Sequence, residues 1–196
     1  MNLLEQLIQW DQHITLWLNN LSPQWLDPFW AMLSDTRFWF PAYAAIAGVV
    51  FWKLGWKKGL VVTLSLILCV VLTDQISYHI KEGLERLRPC YNAWMIDNGV
   101  RLPYGITGFH FGFFSGHASN TFGFAVCSWL GFRLNDEDHS YKLYGWCIFI
   151  WATLVSLSRV MLSAHFFGDV LVGSLFGLAI GIAVAYLAHW VAGLIR

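Results

Sequence analysis

Residues 166–195, FFGDVLVGSLFGLAIGIAVAYLAHWVAGLI, hold a single charged residue, Asp169. About 20 apolar residues suffice to cross the hydrocarbon of a bilayer as a helix. This stretch exceeds that length and therefore has to tilt or run into the interface. Four further stretches of the same character lie at roughly 38–54, 59–80, 114–133 and 143–162, and strand-sized alternation of apolar and polar residues is absent. Hydrophobic residues make up 57% of the chain and charged residues 12%, with a mean hydropathy of +0.53. A soluble domain averages roughly a quarter charged, and one core of this size cannot hide so much apolar surface from water. The pattern predicts an all-α fold, a polytopic membrane helix bundle of about five to six transmembrane helices, with the bilayer as its solvent.

Residues 1–36 differ in character. Leu3, Leu4, Leu7, Ile8, Ile14, Leu16 and Leu18 are interleaved with Glu5, Asp11, Asn19, Asn20 and Asp27, and with Trp10, Trp17 and Trp25. Such a mixture predicts amphipathic helices at the membrane interface, with a partial or sixth span through Pro28–Leu33 as the alternative. The opening MNLLEQLIQWDQH is acidic and lacks a long apolar core or a small-residue cleavage site, so it reads as mature protein. No repeat or flexible linker divides the chain, which predicts one membrane-embedded domain over 1–196, its transmembrane core at 38–195. Twelve Lys+Arg balance twelve Asp+Glu, so no global field recruits nucleic acid. Cys69, Cys90, Cys127 and Cys147 form no CxxC or Cys/His cluster, so neither a disulfide framework nor a zinc site is expected.

Short cytoplasmic loops collect Lys and Arg. Lys53, Lys57 and Lys58 mark one loop as cytoplasmic. Alternating from there puts Arg133–Lys142 and the terminal Arg196 inside and residues 81–113 and 159–165 outside. That outer side nevertheless holds Lys81, Arg86, Arg88, Arg101 and Arg159. Cations on the side that topology disfavours point to a task of their own.

Three segments converge there. In KEGLERLRP, Lys81 and Arg88 stand seven residues apart, on one face if the helix continues to Pro89. Together they suit an anion, Arg as a planar fork and Lys as a point charge, although a basic rim snorkelling to the interface has the same composition. In FFSGHASN, Ser115, Gly116 and His117 open the third apolar helix, where free N–H groups attract anions and an adjacent His can deliver a proton. In SRVMLSAHFFGD, Arg159 ends one helix, Ser163 is placed to cap the next, and His165 and Asp169 are four residues apart. A carboxylate over one ring nitrogen fixes the tautomer and frees the other nitrogen to attack. Asp169 is expected at least one turn into an apolar helix, where a carboxylate is costly and signals function. Asp74, seven residues before Lys81, would support Lys81, serve a proton path or pair with another helix.

Together the three segments describe a phosphoryl-transfer site. Neither a GxxxxGK[ST] loop nor a carboxylate cluster for magnesium accompanies them, so metal-free chemistry is expected. The combined pattern, Lys81-x6-Arg88-Pro89, Ser115-Gly116-His117 and Ser158-Arg159-x5-His165-x3-Asp169, resembles the signature motifs of the type-2 phosphatidic-acid phosphatase superfamily. The resemblance implies an integral-membrane lipid phosphatase whose site is shared with soluble acid phosphatases and vanadium haloperoxidases. It implies His165 as nucleophile through a phosphohistidine, Asp169 as its orienting partner and His117 as the acid. It implies Lys81, Arg88, Arg159, Ser115 and the Gly116 amide as the phosphate cradle, with no cofactor. Phe114 stands where the family commonly has proline.

The function expected on this basis is removal of phosphate from a membrane lipid phosphate or pyrophosphate at the outer leaflet of a bacterial cytoplasmic membrane. Undecaprenyl pyrophosphate, phosphatidylglycerol phosphate, phosphatidic acid and lipid A are the candidate substrates. A phosphotransferase, or a lipid-phosphate binding or transport protein without turnover, would use the same cradle. Binding alone, however, does not require a His165–Asp169 pair. The aromatic loop residues Tyr91, Trp94, Tyr104, Phe109 and Phe111 are expected to shape the headgroup entrance.

Overall fold

The computed structural model describes residues 2–105 and 108–195, so Arg196, counted above among the cytoplasmic charges, lies outside the described residues. Its helices are α1 (Leu3–Leu21), α2 (Asp27–Ser34), α3 (Phe40–Leu84), α4 (Ala93–Asp97), α5 (Gly116–Asn135), α6 (Lys142–Met161) and α7 (Phe167–Leu194). Among the described residues the only β-type pairing is an isolated antiparallel bridge between Leu87 and Phe111. This is the all-α membrane bundle that the sequence predicts. Three elements, Thr36–Leu84, Lys142–Met161 and Phe167–Leu194, are long and apolar enough to cross a membrane.

The first of these contains two of the expected spans. Gly55 breaks it with φ 73 and ψ 176, a conformation open essentially to glycine. The two arms then fold back on each other. A Cβ placed on Gly59 would lie 2.8 Å from Phe51 Cδ1, and Val50 and Val62 share one buried cluster with Phe132.

α5 buries most of its length and is wrapped by α3, α6 and α7. Its Ser119, Thr121 and Ser128 hydroxyls donate to carbonyls of their own helix at 3.1, 2.8 and 3.1 Å, which satisfies them away from water. Against α7 it meets a glycine seam: a Cβ on Gly177 would be 2.2 Å from Ser119 O, and one on Gly181 would be 2.5 Å from Gly123 O. In a membrane, small residues at four-residue spacing let two backbones pack at a distance that no other side chain allows.

Charged contacts define the two ends of the bundle. Lys53 Nζ lies 3.4 Å from His139 Nε2, Lys58 Nζ donates to Asn135 O at 3.1 Å, and Lys57 Nζ donates to Ile195 O at 3.3 Å. The Gly55 turn, the α5–α6 connection and the end of α7 therefore share one end. The α3–α5 and α6–α7 connections share the other, together with α1 and α2.

α1 is amphipathic as predicted, but it turns its polar stripe toward the protein. Asp11, Thr15 and Asn19, one helical turn apart, face inward, with Thr15 and Asn19 fully buried, while Leu7, Trp10, Ile14, Trp17 and Leu21 face outward. Asn19 Nδ2 donates to Met161 O at 2.9 Å and to Ser163 Oγ at 3.0 Å, and Thr15 Oγ1 accepts from Phe167 N at 2.9 Å. The sixth span through Pro28–Leu33 does not form. α2 has 8 residues, about 12 Å of helix, and packs on α6.

Candidate functional site

α3 ends sooner than the spacing of its cations implies. Glu85 adopts φ 48 and closes the helix through its N–H to Lys81 O at 3.1 Å. Arg88 therefore lies beyond the helix and shares no helical face with Lys81, which corrects the sequence expectation. Residues 86–88 are extended instead and pair with the segment before α5: Arg88 N donates to His110 O at 3.0 Å and Gly112 N to Arg86 O at 2.8 Å. Alternation along an extended segment puts Arg86 and Arg88 on one side and Leu87 on the other. Both arginines face the bundle, and Leu87 is exposed.

Arg88 is nearly buried, and its Nε donates to Phe111 O at 3.1 Å. Lys81 reaches the same place from the last turn of α3, where a Cβ on Gly116 would lie 3.2 Å from its Nζ. Arg159, in the last turn of α6, donates from NH1 to Ser34 Oγ. Lys81, Arg88, Gly116, His117, Arg159 and His165 all line one cavity of about 770 Å³. Ser115 and Asp169 stand directly behind it, both fully buried. Ser115 caps α5, its hydroxyl accepting from Ala118 N at 3.4 Å, and its own N–H donates to Asp169 O at 3.0 Å. Two of the three motifs are thus joined through the backbone. Phe114, at the proline position, is buried against Phe176 with ring centroids 4.9 Å apart.

His165 sits in the turn between α6 and α7, its N–H and that of Ala164 both donating to Arg159 O at 3.1 and 2.9 Å. Its Nδ1 lies 3.6 Å from Asp169 Oδ2, at ion-pair distance but beyond a hydrogen bond. Burial first, and then the charges of Arg159, Arg88 and Lys81, hold the imidazole well below the ordinary histidine range. His165 is therefore neutral, with a lone pair available at neutral pH. Asp169 is not one turn inside α7 but the third residue of its first turn, where Oδ2 accepts from Phe166 N at 3.0 Å. Phe166, rather than Ser163, is the N-cap. Ser163 adopts φ 56 and donates to Arg101 O at 2.5 Å instead. His117 Nε2 lies 3.1 Å from Ser34 O. A carbonyl only accepts, so that nitrogen carries a proton.

Several participants escaped the sequence reading. Arg86 donates from NH1 to Asp169 Oδ1 at 2.5 Å and from NH2 to Asp11 Oδ2 at 2.6 Å, and its guanidinium lies 4.4 Å from the Phe166 ring centroid. Asp11 also accepts from Gly168 N at 2.7 Å. Ser34 contacts both His117 and Arg159. Gly112 lets the loop press onto the His165–Asp169 pair: a Cβ there would lie 3.2 Å from Asp169 Oδ2 and 3.5 Å from His165 Nδ1. Arg86 had one available signal, since a two-residue offset from Arg88 shares a face in an extended segment but not in a helix.

Two further groups of outer-side residues lie away from the cavity, and for the aromatic loop this corrects the expectation that it shapes the headgroup entrance. Arg101 is not part of the cradle, because its NH2 donates to both oxygens of Asp27 at 2.8 Å and NH1 to the backbone of Asn19 and Ser22. Of the aromatic loop residues, none lines the cavity; its aromatic walls are Trp39, Phe40, Tyr43 and Phe124. Asp74 does meet another helix, accepting from Asn120 Nδ2 at 3.4 Å.

The family model described as PAP2 superfamily matches residues 56–192. A lipid A 4'-phosphatase of Porphyromonas gingivalis is 30% identical over 179 residues, covering 91% of this chain and 72% of that protein. A lipid A 4'-phosphatase of Bacteroides thetaiotaomicron is 28% identical over 188 residues, covering 95% and 80%. The crystal structure of a transmembrane PAP2-type phosphatidylglycerolphosphate phosphatase from Bacillus subtilis superposes with a TM-score of 0.69 at 21% identity, covering 93% of this chain and 86% of that one. The match spans all three motifs and the helices that bring them together, and the chain belongs to the PAP2 superfamily.

Proposed function

We infer that this membrane-bound lipid phosphatase removes a phosphate from a lipid A-type substrate at the outer leaflet of a bacterial cytoplasmic membrane, through a phosphohistidine. The observation that carries the reading is one cavity holding His165, His117, Lys81, Arg88 and Arg159 at one end and continuing into apolar walls from Phe40, Tyr43, Leu66 and Val70. Such a shape suits a phosphate attached to a long hydrocarbon.

In the first step the Nε2 lone pair of His165 attacks phosphorus, the P–O bond to the lipid breaks, and His117, entering as the imidazolium once the phosphate dianion offsets the neighbouring cations, gives its Nδ1 proton to the departing oxygen. Ser34 O engages His117 Nε2, which leaves Nδ1 to face that oxygen. Lys81, Arg88, Arg159 and the Gly116 amide, with Ser115 at their edge, neutralise the phosphoryl oxygens as charge shifts onto them. Asp169 stabilises the imidazolium as the N–P bond forms. In the second step water attacks phosphorus, His117 takes its proton, the N–P bond breaks, and inorganic phosphate leaves. No divalent cation enters this scheme, because the cradle itself supplies positive charge where a metal would.

The outer-leaflet assignment rests on Lys53, Lys57 and Lys58 at the end of the bundle opposite His165. The lipid A assignment rests on the two curated relatives. The test is phosphate release by the purified protein in detergent from lipid A, phosphatidylglycerol phosphate, phosphatidic acid and undecaprenyl pyrophosphate. Fastest turnover of lipid A is expected. Release from none of the four would overturn the assignment as a lipid phosphatase.

A further inference from the structure

Below the cradle the cavity runs along the second arm of α3, and there Asp74, Gln75 and Asn120 bring strong polar groups to its wall. Asp74 is seven residues before Lys81, two helical turns or about 10 Å deeper. A carboxylate at that depth is costly without a partner, yet Asn120 reaches only one of its oxygens, at 3.4 Å. Asn120 is itself oriented from behind, with Thr73 Oγ1 2.7 Å from its Oδ1, so its Nδ2 is turned toward Asp74. Asp74 and Gln75 are both exposed, and among the described residues the Gln75 side chain has no hydrogen-bond partner. Phosphate chemistry uses none of these three residues.

We propose that Asp74, Gln75 and Asn120 form a substrate subsite that selects lipids carrying hydrogen-bond donors, hydroxyl or amide N–H, about two helical turns from the scissile phosphate. The inference deepens the lipid phosphatase reading above and rests on it. A carboxylate only accepts, so the ligand has to donate. A diacylglycerol phosphate offers ester carbonyls at that distance, which only accept, and a polyprenyl phosphate offers hydrocarbon. A phosphorylated amino sugar bearing amide-linked hydroxyacyl chains offers both kinds of donor. The first two classes leave the Asp74 carboxylate without a donor, and a site built to hydrogen-bond a donor discriminates against a ligand that lacks one.

The experiment compares kcat/KM for lipid A with that for phosphatidic acid of matched chain length, in the wild type and in Asp74→Asn, Asp74→Ala and Asn120→Ala. The ratio is expected to fall roughly 10- to 100-fold in the variants, the cost of losing a hydrogen bond to a charged group. A second arm needs no variant: the wild type acting on a lipid A analogue with ester-linked chains lacking hydroxyls is expected to lose a similar factor. An unchanged ratio, whether turnover falls equally on both lipids or on neither, overturns the subsite and leaves the phosphatase standing. Equal falls would mean that Asp74 acts through Lys81. Wild-type turnover of phosphatidic acid without turnover of lipid A would overturn the subsite and the lipid A assignment together.

Discussion

Arg86 holds the Asp169 oxygen that faces away from His165, at 2.5 Å, and its other arm is held by Asp11 at 2.6 Å. The Asp169 carboxylate is therefore the inner end of a chain of alternating charge that begins on the N-terminal helix. Asp11 partly neutralises Arg86, so Arg86 withdraws less of the negative potential that Asp169 presents to His165.

Asp11→Asn is expected to lower kcat about 10-fold, the scale of one charge-assisted hydrogen bond, with little change in KM. The groups around His165 are Asp169 on α7, Arg159 on α6, Lys81 on α3, His117 on α5 and Arg88 on the connecting segment. Removing Asp11 leaves Arg86 more positive, which lowers the imidazole pKa and moves the acid limb of kcat/KM to lower pH. Arg86→Gln leaves Asp169 more negative and moves that limb to higher pH. Thr15→Val loosens the same helix without touching Arg86 and is expected to leave the limb in place. Shifts of the same sign in Asp11→Asn and Thr15→Val would reduce Asp11 to a structural clamp.

His165→Ala is expected to lose roughly 10⁴-fold or more in turnover, as removal of a required nucleophile does, while the protein still inserts and purifies. Acid-labile ³²P bound to the wild type and missing from the variant would mark the intermediate. Phosphate release by His165→Ala within 10-fold of the wild type would be incompatible with covalent catalysis at this residue.

The pH profile follows from the burial of His165 among cations. Attack requires the neutral imidazole, and its pKa is held well below the ordinary histidine range. After division by the substrate's own ionisation curve, kcat/KM is expected not to fall on descending through pH 6.5, since His165 stays neutral there and His117 needs its proton, and to fall only at lower pH. An acid limb centred at 6.5 or above would contradict the electrostatic environment described here.

Gly177→Leu is expected to break the contact between α5 and α7, because even a Cβ would lie 2.2 Å from Ser119 O. Overpacking of this kind costs roughly 1–3 kcal/mol or more, and the seam positions His117 relative to Asp169. Thermal denaturation in detergent is expected to show a lower midpoint together with lost activity. Unchanged values for both would mean that the seam is looser than its geometry.

Membrane orientation is open to chemical labelling. With Cys90 and Cys147 replaced, a membrane-impermeant thiol reagent added to intact cells is expected to modify a cysteine introduced at the exposed Asn98 but not one at the exposed Asp138. The reverse pattern would move the cavity mouth to the cytoplasmic leaflet.

The apolar runs and the chemistry of the three motifs were legible in the sequence because both are local properties. A stretch of apolar residues in a bilayer has to satisfy its backbone internally, and a helix is the way one segment does so. Lys81, Arg88, His117 and His165 could be named because each carries its reactive group whatever the backbone around it does. The helical link between Lys81 and Arg88 failed because a left-handed Glu85 and the pairing of Leu87 with Phe111 ended the helix early. Neither is written in the periodicity.

Asp11 and Arg86 stand 75 residues apart, and Ser34 and Arg159 stand 125 apart. Contacts over such separations depend on where the helices come to rest. A polar stripe on an amphipathic helix suits water and buried hydrogen-bonding partners equally well. The sequence by itself determined that α1 would have a polar face, along with the membrane habit of the chain and the reactive groups that line the cavity. Only the tertiary structure decided that this face would turn inward, because the free backbone groups at the ends of α6 and α7 and the charge of Arg86 needed partners that nearby sequence did not supply.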